Sequence, residues 1–95
     1  MFRASNFLYI LFRMQKTIFS KHGTVISQRL VELRHNAGLT QRELAKKLKK
    51  VHSFIGNYEL GERRIDIAEF YWICKACNAD PKKEASKLMD AFDEI

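Results

Sequence analysis

No stretch of this chain approaches the ~20 consecutive apolar residues that a membrane-spanning helix needs, and its longest apolar run, FLYILF at residues 7–12, is also too short for a secretory signal core. A membrane protein is thereby excluded from the reading, and the chain is expected to be cytoplasmic. One proline and four glycines leave few interruptions, and no strand-like alternation lasts more than a few residues, which argues against a sheet. With 95 residues there is room for one small core and none for a separate ligand-sensing domain. Control is therefore expected from the protein's own concentration, a partner or proteolysis.

Cysteine is equally scarce. Cys74 and Cys77 form a single CxxC with no second pair, and His22, His35 and His52 are scattered. A zinc site needs four ligands and a thioredoxin-like site needs a βαβ setting, so neither metal nor cofactor is expected, and both thiols read as small buried apolar groups. No nucleophile with its base and no paired carboxylates in a Gly-rich frame are present, so the chain is not read as an enzyme. Acid is missing from residues 1–24, which carry Arg3, Arg13, Lys16 and Lys21, whereas residues 25–79 hold ten basic against six acidic groups. A net charge of +6 spread this unevenly suits a polyanionic partner, although solvated lysines produce the same bias.

Residues 1–23 form an N-terminal extension and residues 24–95 the domain. Met14 is read as the natural start and residues 1–13 as an upstream, non-native extension. As a native segment, its Phe7, Leu8, Tyr9 and Phe12 are expected to pack on the domain or on a second copy as a dimer arm, because such a patch is costly in water.

From Thr24 onward helical signals are regular. Ile26, Leu30, Leu33 and Ala37 follow a Thr24 cap and stop at Gly38, which suits a left-handed terminal residue. Thr40 and Glu43 make a capping box for a second helix with Leu44, Ala45 and Leu48 inside. Ile55, Tyr58 and Leu60 define a third, stopped by Gly61. Asp66 and Glu69 cap a fourth with Ile67, Phe70, Cys74 and Cys77 inside, and Asp80-Pro81 opens a fifth along Ala85, Leu88, Met89 and Phe92. Five helices joined by short links make a compact all-α domain.

The second and third helices are each marginal alone, and the tight break between them forces a steep crossing at which the small Ala45 lets the backbones approach. On the third helix His52, Ser53, Gly56 and Asn57 stand outward. These short polar groups suit base edges, and a helix about 10–12 Å across fits a major groove of similar width.

The segments LRHNAGLTQRELAKKL and HSFIGNYELGERRIDIAEF carry AGLTQ, ELA with a leucine three residues on, and the S-x-I-x-x-Y-E-x-G frame at matching spacing. Over about Val25 to Leu88 the chain resembles the Cro and phage-repressor type, XRE-like helix-turn-helix family. That resemblance implies a five-helix, lambda-repressor-like DNA-binding domain, with the helix-turn-helix at helices two and three and operator binding as a homodimer. It implies that His52, Ser53 and Asn57, with Gly56 among them, read bases. It places Thr40, Gln41, Arg42, Lys50 and Arg64 at phosphates, and it makes Arg34 and Glu59 an ion pair between the first and third helices. For Arg42, Lys50 and Arg64 the alternative is a solvated surface. Three departures stand out: Lys49 where the family's turn commonly has glycine, Val51 at the N-cap of the third helix, and Gly56 inside it.

Trp72 points away from Phe70 and Cys74, with Ala68 and Ala76 beside it, and Phe92 lies near the end. These four are the expected dimer surface unless helix five or the N-terminal segment covers Trp72. The reading is thus a dimeric, nucleoid-associated transcriptional regulator, a repressor, on double-stranded DNA with a near-palindromic operator. A protein-binding module on the same fold, such as an antitoxin holding a toxin or a coactivator bridge, is the alternative.

Overall fold

Leu30 and Leu33, three apart on one helical face, are sealed from solvent, and four further helices close around them. A computed structural model describes residues 21–95. The helices are α1 (Lys21–Asn36), α2 (Gln41–Leu48), α3 (His52–Glu59), α4 (Ile67–Ala76) and α5 (Pro81–Asp93), and no strand occurs among the described residues. The expectations for Phe7, Leu8, Tyr9, Phe12 and Met14 lie outside those residues.

Local chemistry sets the helix ends. Thr40 Oγ1 accepts from the Glu43 N–H at 3.1 Å while Glu43 Oε1 accepts from the Thr40 N–H at 2.9 Å, so two donors orphaned at the α2 start are satisfied reciprocally. Asp66 and Glu69 repeat the arrangement at α4, at 2.7 and 3.0 Å. Asp80 Oδ1 accepts from the Lys82 N–H at 3.0 Å, with Pro81 as the first residue of α5. Gly38 (φ 71°) turns the chain after α1.

The core is built from Leu30, Leu44, Ile55, Tyr58, Ile73 and Cys74, all fully buried. Phe54 packs edge-on against Tyr58 with centroids 5.4 Å apart. Arg29 ties α1 to α5 through a two-bond contact with the buried Glu84, Nε to Oε2 at 2.7 Å and Nη2 to Oε1 at 2.9 Å. Cys74 and Cys77 are free and buried. Burial pushes the Cys74 thiol up to about 11 and raises that of Cys77, so neither is a nucleophile near neutrality.

Four expectations need correction. Thr24 is an interior residue of α1, not its cap, because the helix already runs from Lys21. Leu60 is 74% exposed, since it lies three and seven residues beyond Asn57 and Ser53 and so continues the outward row. Ile67 is 78% exposed because it opens α4 and overhangs the cleft between α4 and α5 instead of filling it. Met89 stands on the rim of the same cleft and is exposed. Phe54 and Ile73, which the periodic reading left out, belong to the core.

Candidate nucleic-acid interface

Lys49, in the left-handed region at φ 56° and ψ 41°, reverses the chain between α2 and α3. Its N–H reaches the Lys46 carbonyl at 3.2 Å and that of Lys50 reaches Ala45 at 2.9 Å, which closes the last turn of α2. A side chain at this φ costs about 1 kcal/mol relative to glycine. Val51 (φ −70°, ψ 148°) then occupies the N-cap of α3 without a side-chain bond. Ala45 is buried where the two helices cross.

From this turn α3 presents one face inward and one outward. Phe54, Ile55 and Tyr58 are buried, while His52, Ser53 and Asn57 are exposed and Gly56 is half-buried between them. The outward groups comprise an imidazole, a hydroxyl and a carboxamide, each able to donate and accept. Leu60 adds an apolar end to the row; the spacing Ser53, Asn57, Leu60 was the signal for it.

The far end of α3 is held on α1. Arg34 Nε donates to Glu59 Oε2 at 2.7 Å and Nη2 to Oε1 at 3.1 Å, and Nη1 caps the Leu39 carbonyl at 2.9 Å. Only 11% of the Arg34 side chain and 6% of the Glu59 side chain remain exposed, so neither charge can fall back on water if the other is lost. The hydrogen bond to Glu59 raises the Arg34 guanidinium pKa. Ser27 Oγ adds a second tie, donating to the Tyr58 carbonyl at 2.9 Å. Tyr58 itself carries a buried hydroxyl with no hydrogen-bond partner among the described residues, and burial raises its pKa.

The N-terminus of α2 lies beside α3. Gln41 Nε2 donates to Glu59 Oε1 at 2.9 Å, so Gln41, Glu59 and Arg34 form one chain of polar contacts. Thr40 is committed to its capping box, and the backbone N–H groups of Gln41 and Arg42 meet no acceptor among the described residues. Arg42 is exposed and makes no ion pair among them. Lys50 Nζ lies 5.5 Å from the Phe54 ring centroid. Arg64 is exposed on the link from α3 to α4. Its neighbour Arg63, which sequence reasoning passed over, sits 4.6 Å from the same ring centroid and is paired with Glu69 at 2.9 Å.

The other expected surface divides in two. Trp72 is 61% exposed, lies edge-on to Tyr71 and borders a cleft against Lys47, Leu48 and Phe54, with Ala68 exposed and Ala76 half-buried on the same helix. Phe92 is half-buried, with His22 packed edge-on at 5.0 Å, and lines the cleft between α4 and α5. No group of His, Cys, Asp and Glu among the described residues could hold a metal ion, and no helix there is long and apolar enough to cross a membrane.

Residues 26–86 match the family described as Helix-turn-helix domain. The solved structure of an XRE-family like protein from Pseudomonas syringae pv. tomato str. DC3000 is similar at 37% identity and a TM-score of 0.73, over 82% of this chain and 95% of that one. The chain belongs to the XRE-like helix-turn-helix family. No curated protein matches it. In this XRE-like domain the helix-turn-helix unit is α2, the turn at residues 49–51 and α3, and α1, α4 and α5 form the scaffold that fixes its angle. It is an all-α DNA-binding domain whose turn is made by a left-handed lysine instead of glycine.

Proposed function

We infer that this protein is a sequence-specific transcriptional regulator that binds a near-palindromic operator as a homodimer and represses by occupying it. The observation that carries the reading is the exposed row His52, Ser53 and Asn57 on a short helix whose opposite end is locked by Arg34 and Glu59. Small hydrogen-bonding groups on a braced helix meet base edges in the major groove, with asparagine suited to adenine. Half-buried Gly56 lets the α3 backbone come close. The free N–H groups at the start of α2 and the cations of Arg42, Lys50 and Arg64 take phosphates, with Thr40 holding the α2 end in shape.

Residues 24–95 act as the DNA-binding domain, and residues 1–23 as an extension preceding it or an arm of the dimer. Ala68, Trp72 and Ala76 on α4 and Phe92 on α5 form the surface for the second copy. Two recognition helices then sit about 34 Å apart, one turn of DNA. The site of action is the nucleoid, and the protein works by occupancy without catalysis. The exposed Trp72, which shares a cleft with Lys47 and lies edge-on to the exposed Tyr71, favours a second use of the fold, holding a protein partner such as a toxin.

Selection from random duplexes at two salt concentrations tests this reading. A palindromic motif should emerge, and its affinity ratio to random DNA should survive added salt; uniform, salt-labile binding would leave only phosphate attraction.

A further inference from the structure

The open cleft between α2 and α4, about 440 Å³ in volume, is lined in its apolar part by Leu48, Phe54, Ile73 and the exposed Trp72. Its α2 side is basic. Lys47, Lys49 and Lys50 line it, all three are exposed, and no acid occurs from Leu44 to Tyr58. Their contacts are with neutral groups: Lys47 Nζ donates to the Ala76 carbonyl at 3.4 Å, Lys50 Nζ stands over the Phe54 ring, and none of the three makes an ion pair among the described residues. The α4 side carries two acids whose charges are already met. Asp66 Oδ1 accepts from the Glu69 N–H at 2.7 Å, and the Glu69 carboxylate takes two bonds from Arg63, at 2.9 and 3.1 Å. The cleft thus joins an apolar floor to a rim of positive charge that the chain itself leaves unneutralised.

We propose that this cleft holds an acidic segment of a partner protein, with a large apolar side chain of that segment against Trp72, Leu48 and Phe54 and flanking Asp or Glu carboxylates at Lys47 and Lys49. The proposal rests on the partner-holding use of the fold named above and gives that use a chemistry. Covering Trp72 and the floor is favourable only if the occupant brings apolar surface of its own. A row of phosphates brings none, so nucleic acid would meet the lysines and leave the floor wet. A neutral or basic segment would fill the floor but leave the lysine charges beside it desolvated and unpaired. The cleft is of the size that receives ligand side chains. His52, Ser53 and Asn57 do not line it, so the base-facing row stays clear. Trp72 also belongs to the surface assigned to the second copy, and an occupant of the cleft competes with that copy for it.

Trp72 is the only tryptophan of the chain, so its emission reports directly whether the cleft is filled. The full chain is used to select binders from a tryptophan-free library of random short peptides. The recovered peptide is then made as selected, with its apolar residues changed to serine, and with its acids changed to lysine. Each form is titrated by Trp72 emission and, with a dye on the peptide, by anisotropy. The chains compared are the parent, Trp72→Ala, Lys47→Glu with Lys49→Glu, and Lys82→Glu with Lys83→Glu, which makes the same charge change at exposed sites at the start of α5. Thermal melting checks that each chain folds.

The recovered peptides should carry Asp or Glu beside Phe, Leu or Tyr, and binding should shift Trp72 emission to the blue. Affinity should fall roughly tenfold or more for Trp72→Ala and for the Lys47→Glu, Lys49→Glu chain, and stay at the parent value for Lys82→Glu, Lys83→Glu. The lysine form of the peptide should bind the Lys47→Glu, Lys49→Glu chain and not the parent; the serine form should bind neither. A serine form that binds as well as the selected peptide shows charge attraction alone and overturns the proposal, as do neutral or basic peptides. Emission that shifts with chain concentration and ignores peptide gives the cleft to a second copy, and random duplex DNA held in place of any peptide, with the same dependence on Trp72, Lys47 and Lys49, gives it to nucleic acid; either result overturns it. Peptides that bind without regard to those three residues leave the partner-holding use standing and remove this cleft from it. A library that yields no binder removes both, and base reading is tested apart from either by the duplex selection.

Discussion

Replacing Glu59 with alanine removes the acceptor of three hydrogen bonds at once, two from Arg34 and one from Gln41. What remains is a guanidinium with 11% of its side chain exposed and two neutral partners, the Leu39 carbonyl and the His35 ring nitrogen. Breaking a buried pair from one side costs about 3–5 kcal/mol, because the surviving charge stays desolvated and unpaired. A domain of this size is stable by of order 5–10 kcal/mol, so the loss consumes much of its margin. For so short a chain each kcal/mol moves the Tm by about 4–8 °C, which puts the expected fall at roughly 15 °C or more. Urea unfolding of the Glu59→Ala chain should show a lower midpoint with an unchanged slope, and DNA binding should disappear in step with the folded fraction. Removing both charges, as in Arg34→Met with Glu59→Leu, should recover much of the loss, since no orphaned charge is then left. A Glu59→Ala chain that melts where the parent does but no longer binds would refute the bracing role and place Glu59 at the DNA itself.

Three further outcomes follow from the same contacts. Tyr58→Phe deletes a buried hydroxyl that has no partner among the described residues and should leave stability unchanged or raise it by up to about 1 kcal/mol in urea titration; a loss larger than that would reveal a bond to the hydroxyl. The Arg29 hydrogen bonds hold the Glu84 carboxyl below its ordinary value of 4.5, so this pair's stabilisation is whole above that value and is lost as pH falls through the depressed one. Comparing urea midpoints at neutral and strongly acid pH, Glu84→Gln should start lower and decline less than the parent, and parallel declines would contradict the assignment. Lys49→Gly relieves the left-handed lysine and should raise stability by about 1 kcal/mol at most, without changing base preference; a destabilised variant would show that the lysine side chain holds the turn.

The parts of the fold legible in the sequence are those decided within one turn of helix. Thr40 with Glu43, Asp66 with Glu69, and Asp80-Pro81 each specify a helix start by contacts three residues apart or fewer, and each formed. Leu60, Ile67 and Met89 defeated the periodic reading for a different reason: apolarity fixes what a residue prefers, but burial depends on whether another element reaches far enough to cover it. Arg29 and Glu84 lie far apart in the chain, and the one local signal for their pair was an acid four residues before Leu88 on the inward side of α5. Arg34 and Glu59 were expected from the family resemblance alone, since nothing in residues that distant declares a contact. The outward polar row of α3 was legible because short hydrogen-bonding side chains stood where core leucines would otherwise be. That Gln41 bonds Glu59 and lies beside Gly56 could be read only from the three-dimensional placement of these residues.

The central claim, that the outer face of α3 reads bases while the cations around it hold phosphates, is tested most directly by comparing Asn57→Ala with Arg42→Ala on the selected duplex and on random DNA. Asn57→Ala should lose about 1–3 kcal/mol on the selected duplex and almost nothing on random DNA. Arg42→Ala should weaken both alike and reduce the salt slope by about one ion. An Asn57→Ala chain that keeps its discrimination, or loses affinity equally for both DNAs, would contradict the account.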